Sequence, residues 1–130
     1  MTRFLLDTHA VVHWQLGTSM PPALSADLDA AGRSGRVLVS TAAFWEVALL
    51  VQKGRLAIGD VSSWKNELLA ATGAQLVTPR VDDMIASVAL PRHHRDPFDR
   101  LFVAQARSLR AVLVSRDAVF AAYDVATRWA

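Results

Sequence analysis

Five carboxylates of this 130-residue chain occupy positions that solubility alone does not explain. Asp7 directly follows the apolar run Phe4-Leu5-Leu6. Asp117 follows a second run, Ala111 to Val114, two residues after Ser115. Asp96 and Asp99 bracket Pro97-Phe98, and Glu46 sits inside Ala42 to Val51, the most hydrophobic helical stretch of the protein. Taken singly, Asp7, Asp96 and Asp117 read as helix N-caps, and Pro97 after Asp96 suits the first helical position. Asp99 then complements the helix dipole from the first turn. Glu46 resists that account, because it lies too deep in its helix to cap. An ionised carboxylate among apolar neighbours must be paired, bind a metal, or turn out at the helix edge. If Asp7, Glu46, Asp99 and Asp117 share one edge of a sheet, carboxylates from separate chain segments converge on one crevice. Clustered like charges repel unless a cation neutralises them. Hard oxygen ligands without a thiolate or a paired histidine motif favour Mg²⁺ or Mn²⁺ over zinc, a donor set suited to metal-assisted phosphoryl transfer.

The elements that must hold these acids are short apolar runs alternating with helical patterns. Residues 4–6, 37–39, 75–77 and 111–114 read as buried parallel strands, with a weaker fifth near Val125. Helical patterns cover 8–16, 23–31 (closed by Gly32), 41–52, 61–71, 81–89, 97–109 and 118–122. Strands alternating with helices predict an α/β layered fold with helices on both faces of a mostly parallel sheet. The polar loop Pro91 to Asp96 immediately precedes a helix, a position that forms ligand crevices in open parallel sheets. No repeat, low-complexity tract or long linker interrupts the chain, so one domain spanning 1–130 is expected.

Composition excludes several classes. A hydrophobic content of 52% against 20% charged residues is the reverse of a disordered signature. The absence of cysteine removes a disulfide scaffold, a thiolate zinc site and a cysteine nucleophile together. The opening stretch is too short and too soon interrupted by Asp7 for a signal peptide, and no run approaches the roughly 20 apolar residues of a membrane span. The expectation is a cytoplasmic domain without membrane contact. A net charge of +2 does not by itself indicate a polyanion partner, although all the bases except Lys53 and Lys65 are arginine, which suits bidentate phosphate contacts.

Leu6-Asp7-Thr8-His9, then Ser40 to Glu46, then His93-His94-Arg95-Asp96-Pro97-Phe98-Asp99-Arg100 through Gln105, then Ser115-Arg116-Asp117, resemble in order and spacing the PIN-domain ribonucleases. More narrowly, they resemble the VapC toxins of bacterial type II toxin–antitoxin systems. The resemblance spans residues 4 to about 129. It implies a PIN-like three-layer α/β/α fold with four to five strands, and a metal-dependent endoribonuclease. Asp7, Glu46, Asp99 and Asp117 match the family's acidic quartet, which holds Mg²⁺ or Mn²⁺ and activates a water against an RNA phosphodiester. Asp96 is a further ligand or a cap. Thr8, Ser40 and Ser115 match supporting hydroxyls. Arg95, Arg100 and Arg116 are candidate phosphate contacts, Arg116 standing where many relatives carry a small or polar residue. The resemblance also implies a homodimer and a small VapB-like antitoxin that blocks the site. An alternative is a catalytically idle PIN-like module that binds RNA or protein.

The remaining chemistry-bearing residues have plainer readings. His93 and His94 are solvated loop residues by default and otherwise contacts to RNA or a general acid near the leaving group. His9 and His13 are expected to pack or sit at an interface, because no third ligand accompanies their i, i+4 spacing. Arg100, Arg107 and Arg110 share a helix face with Val103, a solvated face by default and otherwise a phosphate track leading to the acids. The four tryptophans are assigned to core or interface, with Trp45 packing while Glu46 faces the crevice. Receiver and haloacid-dehalogenase folds fail for want of a correctly placed lysine and of Asp-x-Asp, and no Gly-x-Gly-x-x-Gly follows a strand.

Overall fold

Each apolar run forms the strand expected of it, and the computed structural model, which describes residues 1–130, joins them in one parallel sheet. The strands are β1 (Phe4–Leu6), β2 (Val37–Ser40), β3 (Gln75–Val77), β4 (Val112–Val114) and β5 (Thr127–Arg128). Their spatial order is β3-β2-β1-β4-β5. Leu5 of the central strand pairs with Leu38 on one side and Leu113 on the other, and all three are buried. The weak fifth strand begins two residues beyond Val125. β3 departs from expectation: it is an edge strand, with Leu76 46% exposed, because only β2 pairs with it.

Six helices connect the strands: α1 (Thr8–Leu16), α2 (Pro22–Arg33), α3 (Thr41–Gln52), α4 (Val61–Thr72), α5 (Val81–Ala89) and α6 (Pro97–Leu109), with a 3₁₀ turn at Ala118–Ala122. The strand order reverses direction at β1, so right-handed crossovers put α1 to α4 on one face and α5 with α6 on the other. A continuous core of 28 buried apolar residues fills the layers, including Phe102 and Val103 of α6 and Trp14 of α1. Trp14 donates its indole N–H to Asp29 at 2.8 Å, and Trp64 donates to Gln15 at 2.9 Å, tying α1 to α2 and α4 without orphaned donors.

Gly32 does not stop its helix. α2 continues through it to Arg33, and a Cβ at Gly32 would lie 2.3 Å from the Thr72 carbonyl oxygen. The glycine is needed there for close helix approach. Its neighbour in that crossing, Gly73, takes φ +76° where α4 ends.

The reversal of strand order falls between β1 and β4, which opens a crevice at the carboxyl edge of the sheet. Asp7 leaves β1 and Ser115 leaves β4 at that edge.

Candidate active site

The cap reading and the convergence reading of the acids both hold. Asp7 accepts from the Ala10 N–H at 2.9 Å, Asp96 from Phe98 at 2.9 Å and Asp117 from Val119 at 3.0 Å. Each cap therefore starts a helical segment at the same edge of the sheet, and each carboxylate keeps an oxygen free of its capping bond. Asp99 follows in the first turn of α6, and Glu46 projects from the second turn of α3. All five acids line a single cleft of about 370 Å³. Ser115, His9, Arg116 and Phe120 complete its walls.

Neighbouring groups fix the carboxylates. Thr8, buried at the head of α1, donates its hydroxyl to Glu46. Ser115 stands beside Asp7, where its hydroxyl opposes the rise of that carboxyl's pKa, and its Oγ accepts from the Asp117 N–H at 3.0 Å. Ser40 takes a different part: fully buried, it accepts from the Ala42 N–H at 3.2 Å as the cap of α3 and does not line the cleft. Of the arginines, Arg116 lines the cleft, whereas Arg95 and Arg100 do not. Arg100 donates to the His94 carbonyl at 3.4 Å and buries its Nε without a partner. Arg107 and Arg110 open on a separate depression beside Ala111 and Val112. α6 runs back from the cleft toward the opposite end of the sheet and carries Arg107 and Arg110 away from the acids.

The electrostatics follow from burial and crowding. Burial, followed by the charges of Asp96, Glu46, Asp7 and Asp117, pushes Asp99 up to about 8. Glu46 is raised chiefly by burial and then by Asp96 and Asp7, against the opposing bond from Thr8. Asp7 is raised by burial, partly offset by Ser115 and the Ala10 N–H. These groups hold protons more tightly than carboxylates in water because too much negative charge shares too little solvent. No three of them close on a common point as a ready ligand cage. The all-oxygen donor set and the mutual repulsion nevertheless fit a hard divalent cation, which relieves the crowding that a proton relieves in its absence.

His94 was not singled out correctly by the sequence. It is not solvated. Its imidazole lies between two of the acids, Nδ1 3.5 Å from Asp99 and Nε2 3.3 Å from Asp117. Its ring packs on Phe120 at 4.5 Å and stacks with Tyr123 at 6.5 Å. The Tyr123 hydroxyl accepts from the His94 N–H at 2.8 Å and donates to the Pro91 carbonyl at 2.6 Å, clamping the loop from outside. His93 stays exposed with its ring edge on Tyr123. A tyrosine contributed from beyond β4 carries no local signal in the loop sequence, which is why the loop read as free. Trp45 is the second correction. It is 64% exposed, with an aromatic contact to Phe98. His9 is exposed on the cleft wall, while His13 packs against Trp129.

The sequence profile of PIN domains matches residues 4–126. The chain belongs to the PIN-domain family. No curated protein matches this PIN domain significantly in sequence. Its fold is shared with solved structures of low identity. VapBC2 from Rickettsia felis, bound to a DNA fragment from its promoter, superposes with a TM-score of 0.73 at 13% identity over 98% of both chains. DNA-bound VapBC from Salmonella typhimurium gives 0.70 at 14% identity over 100% of both chains. FitAcB from Neisseria gonorrhoeae gives 0.61 at 21% identity over 95% of both. The PIN domain thus has the three-layer α/β/α architecture with a wholly parallel five-stranded sheet.

Proposed function

We propose that this PIN domain, acting as one domain over its length, is a metal-dependent endoribonuclease of the VapC toxin kind. The observation that carries the reading is the convergence of Asp7, Glu46, Asp96, Asp99 and Asp117 on one cleft at the reversal point of the sheet. Asp7, Glu46, Asp99 and Asp117 would hold Mg²⁺ or Mn²⁺, with Asp96 beside them as cap and further ligand. Bound there, the ion supplies an activated water and charge neutralisation at a phosphodiester. The chain's own residues do the positioning. Thr8 orients Glu46, Ser115 orients Asp7 and the Asp117 backbone, and His94 keeps Asp99 and Asp117 apart across its ring. Arg116 at the cleft wall faces the substrate backbone and offsets part of its repulsion from the acids.

The partners follow the same reading. Likeness to toxin–antitoxin complexes supports a small antitoxin as inhibitor. A homodimer is supported by α5, where Val81, Ile85 and Val88 are 71%, 64% and 77% exposed along one helix. No helix is long and apolar enough to cross a membrane, in keeping with work on RNA in the cytoplasm.

The test is cleavage of total cellular RNA by antitoxin-free protein in Mg²⁺, Mn²⁺ or EDTA, with Asp7→Ala prepared identically. The expected result is cutting that needs metal and disappears in the variant. Folded protein that binds RNA but cuts nothing under either metal points instead to the idle binding module.

A further inference from the structure

The cleft has an acidic floor and, on its wall, His9 and the cationic Arg116. Next in sequence to one of the acids stands an aromatic side chain that the core leaves largely uncovered. Trp14 and Trp64 are 7% and 5% exposed, and Trp129 is half-covered against His13, yet Trp45 is 64% exposed. It directly precedes Glu46. Its indole meets Phe98, which directly precedes Asp99, at a centroid distance of 5.1 Å and an interplanar angle of 73°. That T-shaped contact fixes the orientation of the indole and leaves most of its surface open. The residues that precede two of the cleft acids, Glu46 and Asp99, thus form a preoriented aromatic pair just outside the cleft lining. An exposed, held indole near a cleft that also carries Arg116 matches the way single-stranded nucleic acid is gripped, with bases stacked on aromatic faces and phosphates led along cations.

We infer that Trp45 is a base-stacking platform for RNA, taking the nucleotide next to the phosphate that enters the acidic cleft. The inference rests on the nuclease reading and deepens it. A base inside a duplex offers no free face, so the substrate is unpaired at that nucleotide. Arg116 and His9 then serve the backbone on the far side of the cut. Trp45 acts by binding and takes no part in the bond-making step.

The experiment uses the full chain carrying Asp99→Asn, with Mg²⁺ and a short single-stranded RNA, read by tryptophan emission and by anisotropy of labelled RNA. RNA is expected to quench emission, and Trp45→Phe to remove that quench while keeping most of the affinity. Trp45→Ala is expected to weaken Kd about 5- to 150-fold, the range of one base–aromatic stack. An oligonucleotide with a single abasic position at the stacked nucleotide binds the parent as weakly as intact RNA binds Trp45→Ala, and the two losses do not add. Trp45→Phe guards against misfolding, since it retains the contact on Phe98. Unchanged RNA affinity in Trp45→Ala, or a quench that survives Trp45→Phe, overturns the inference. So does shielding of Trp45 by a partner protein but not by RNA. If the unsubstituted chain cleaves RNA while Trp45→Ala binds it normally, only this inference falls. If it neither cleaves nor binds RNA, the nuclease reading falls first and takes this one with it.

Discussion

Replacing Asp99 by asparagine should stabilise the metal-free protein at pH 8, although it removes a residue of the proposed active site. Asp99 is raised from 3.8 to about 8 by burial and by the four surrounding carboxylates. The folded state therefore binds its proton more tightly than the unfolded state. Stability is full below about 3.8 and is lost as pH rises through about 8, where the folded protein must ionise the group. The span of about 4 pH units sets a ceiling of about 5–6 kcal/mol at 1.36 kcal/mol per unit. The side chain remains 23% exposed at an open cleft, so solvent screening and proton sharing among neighbours reduce this to about 2–3 kcal/mol. Asparagine is nearly isosteric and cannot ionise, so the variant escapes the loss. Urea unfolding followed by tryptophan fluorescence in EDTA should show no pH-dependent gain near pH 4. The gain should grow through neutrality and level off near 2–3 kcal/mol above pH 8, as roughly 6–12 °C in Tm. Excess Mg²⁺ should narrow or reverse the difference by stabilising the parent more than the variant, which keeps the other carboxylates. A gain independent of pH, or no gain at pH 8, would refute the claim that crowded negative charge destabilises this cleft.

Three further outcomes follow from the packing. Gly32→Ala drives a Cβ into the Thr72 carbonyl and should cost about 2–3 kcal/mol in chemical denaturation, with cleavage unchanged in the surviving folded fraction. Tyr123→Phe removes the bonds to Pro91 and His94 and should cost about 1–2 kcal/mol. It should also slow RNA cleavage several-fold at saturating RNA, because the loop bearing His94 and Asp96 is no longer clamped; unaltered cleavage would show that the clamp does not position the acids. Ile85→Lys on the exposed face of α5 should shift the protein toward monomer in analytical ultracentrifugation while leaving the far-ultraviolet dichroism intact.

The fold was legible wherever local pattern suffices. Buried parallel strands need continuous apolar runs, so Phe4–Leu6 and Val37–Val39 announced themselves, and Asp7 and Asp117, beyond the first and fourth runs, marked the carboxyl edge of the sheet. Glu46 was legible because nothing local explains a carboxylate in the Ala42–Val51 stretch. What depends on a distant partner was not. Gly32 read as a helix stop, since the Thr72 carbonyl that requires it lies far along the chain. His94 read as solvated because Tyr123 and Phe120, which enclose it, belong to another segment. Trp45 read as packed: helical phase separates it from Glu46 by about 100° but says nothing of which side is covered. Gln75–Val77 read as buried because an edge strand and a central one share the same apolar run.

The central claim is that five carboxylates form one site for a divalent cation. Its most direct test is Mn²⁺ binding by isothermal titration at pH 7, run in buffers of different ionisation enthalpy. The account predicts binding accompanied by release of about one proton, displaced from the carboxylates that hold it when metal is absent. Both the binding and the proton release should be lost in Asp7→Ala, and the release should be lost in Asp99→Asn. Failure of the parent to bind Mn²⁺, or binding that survives unchanged in both variants, would contradict it.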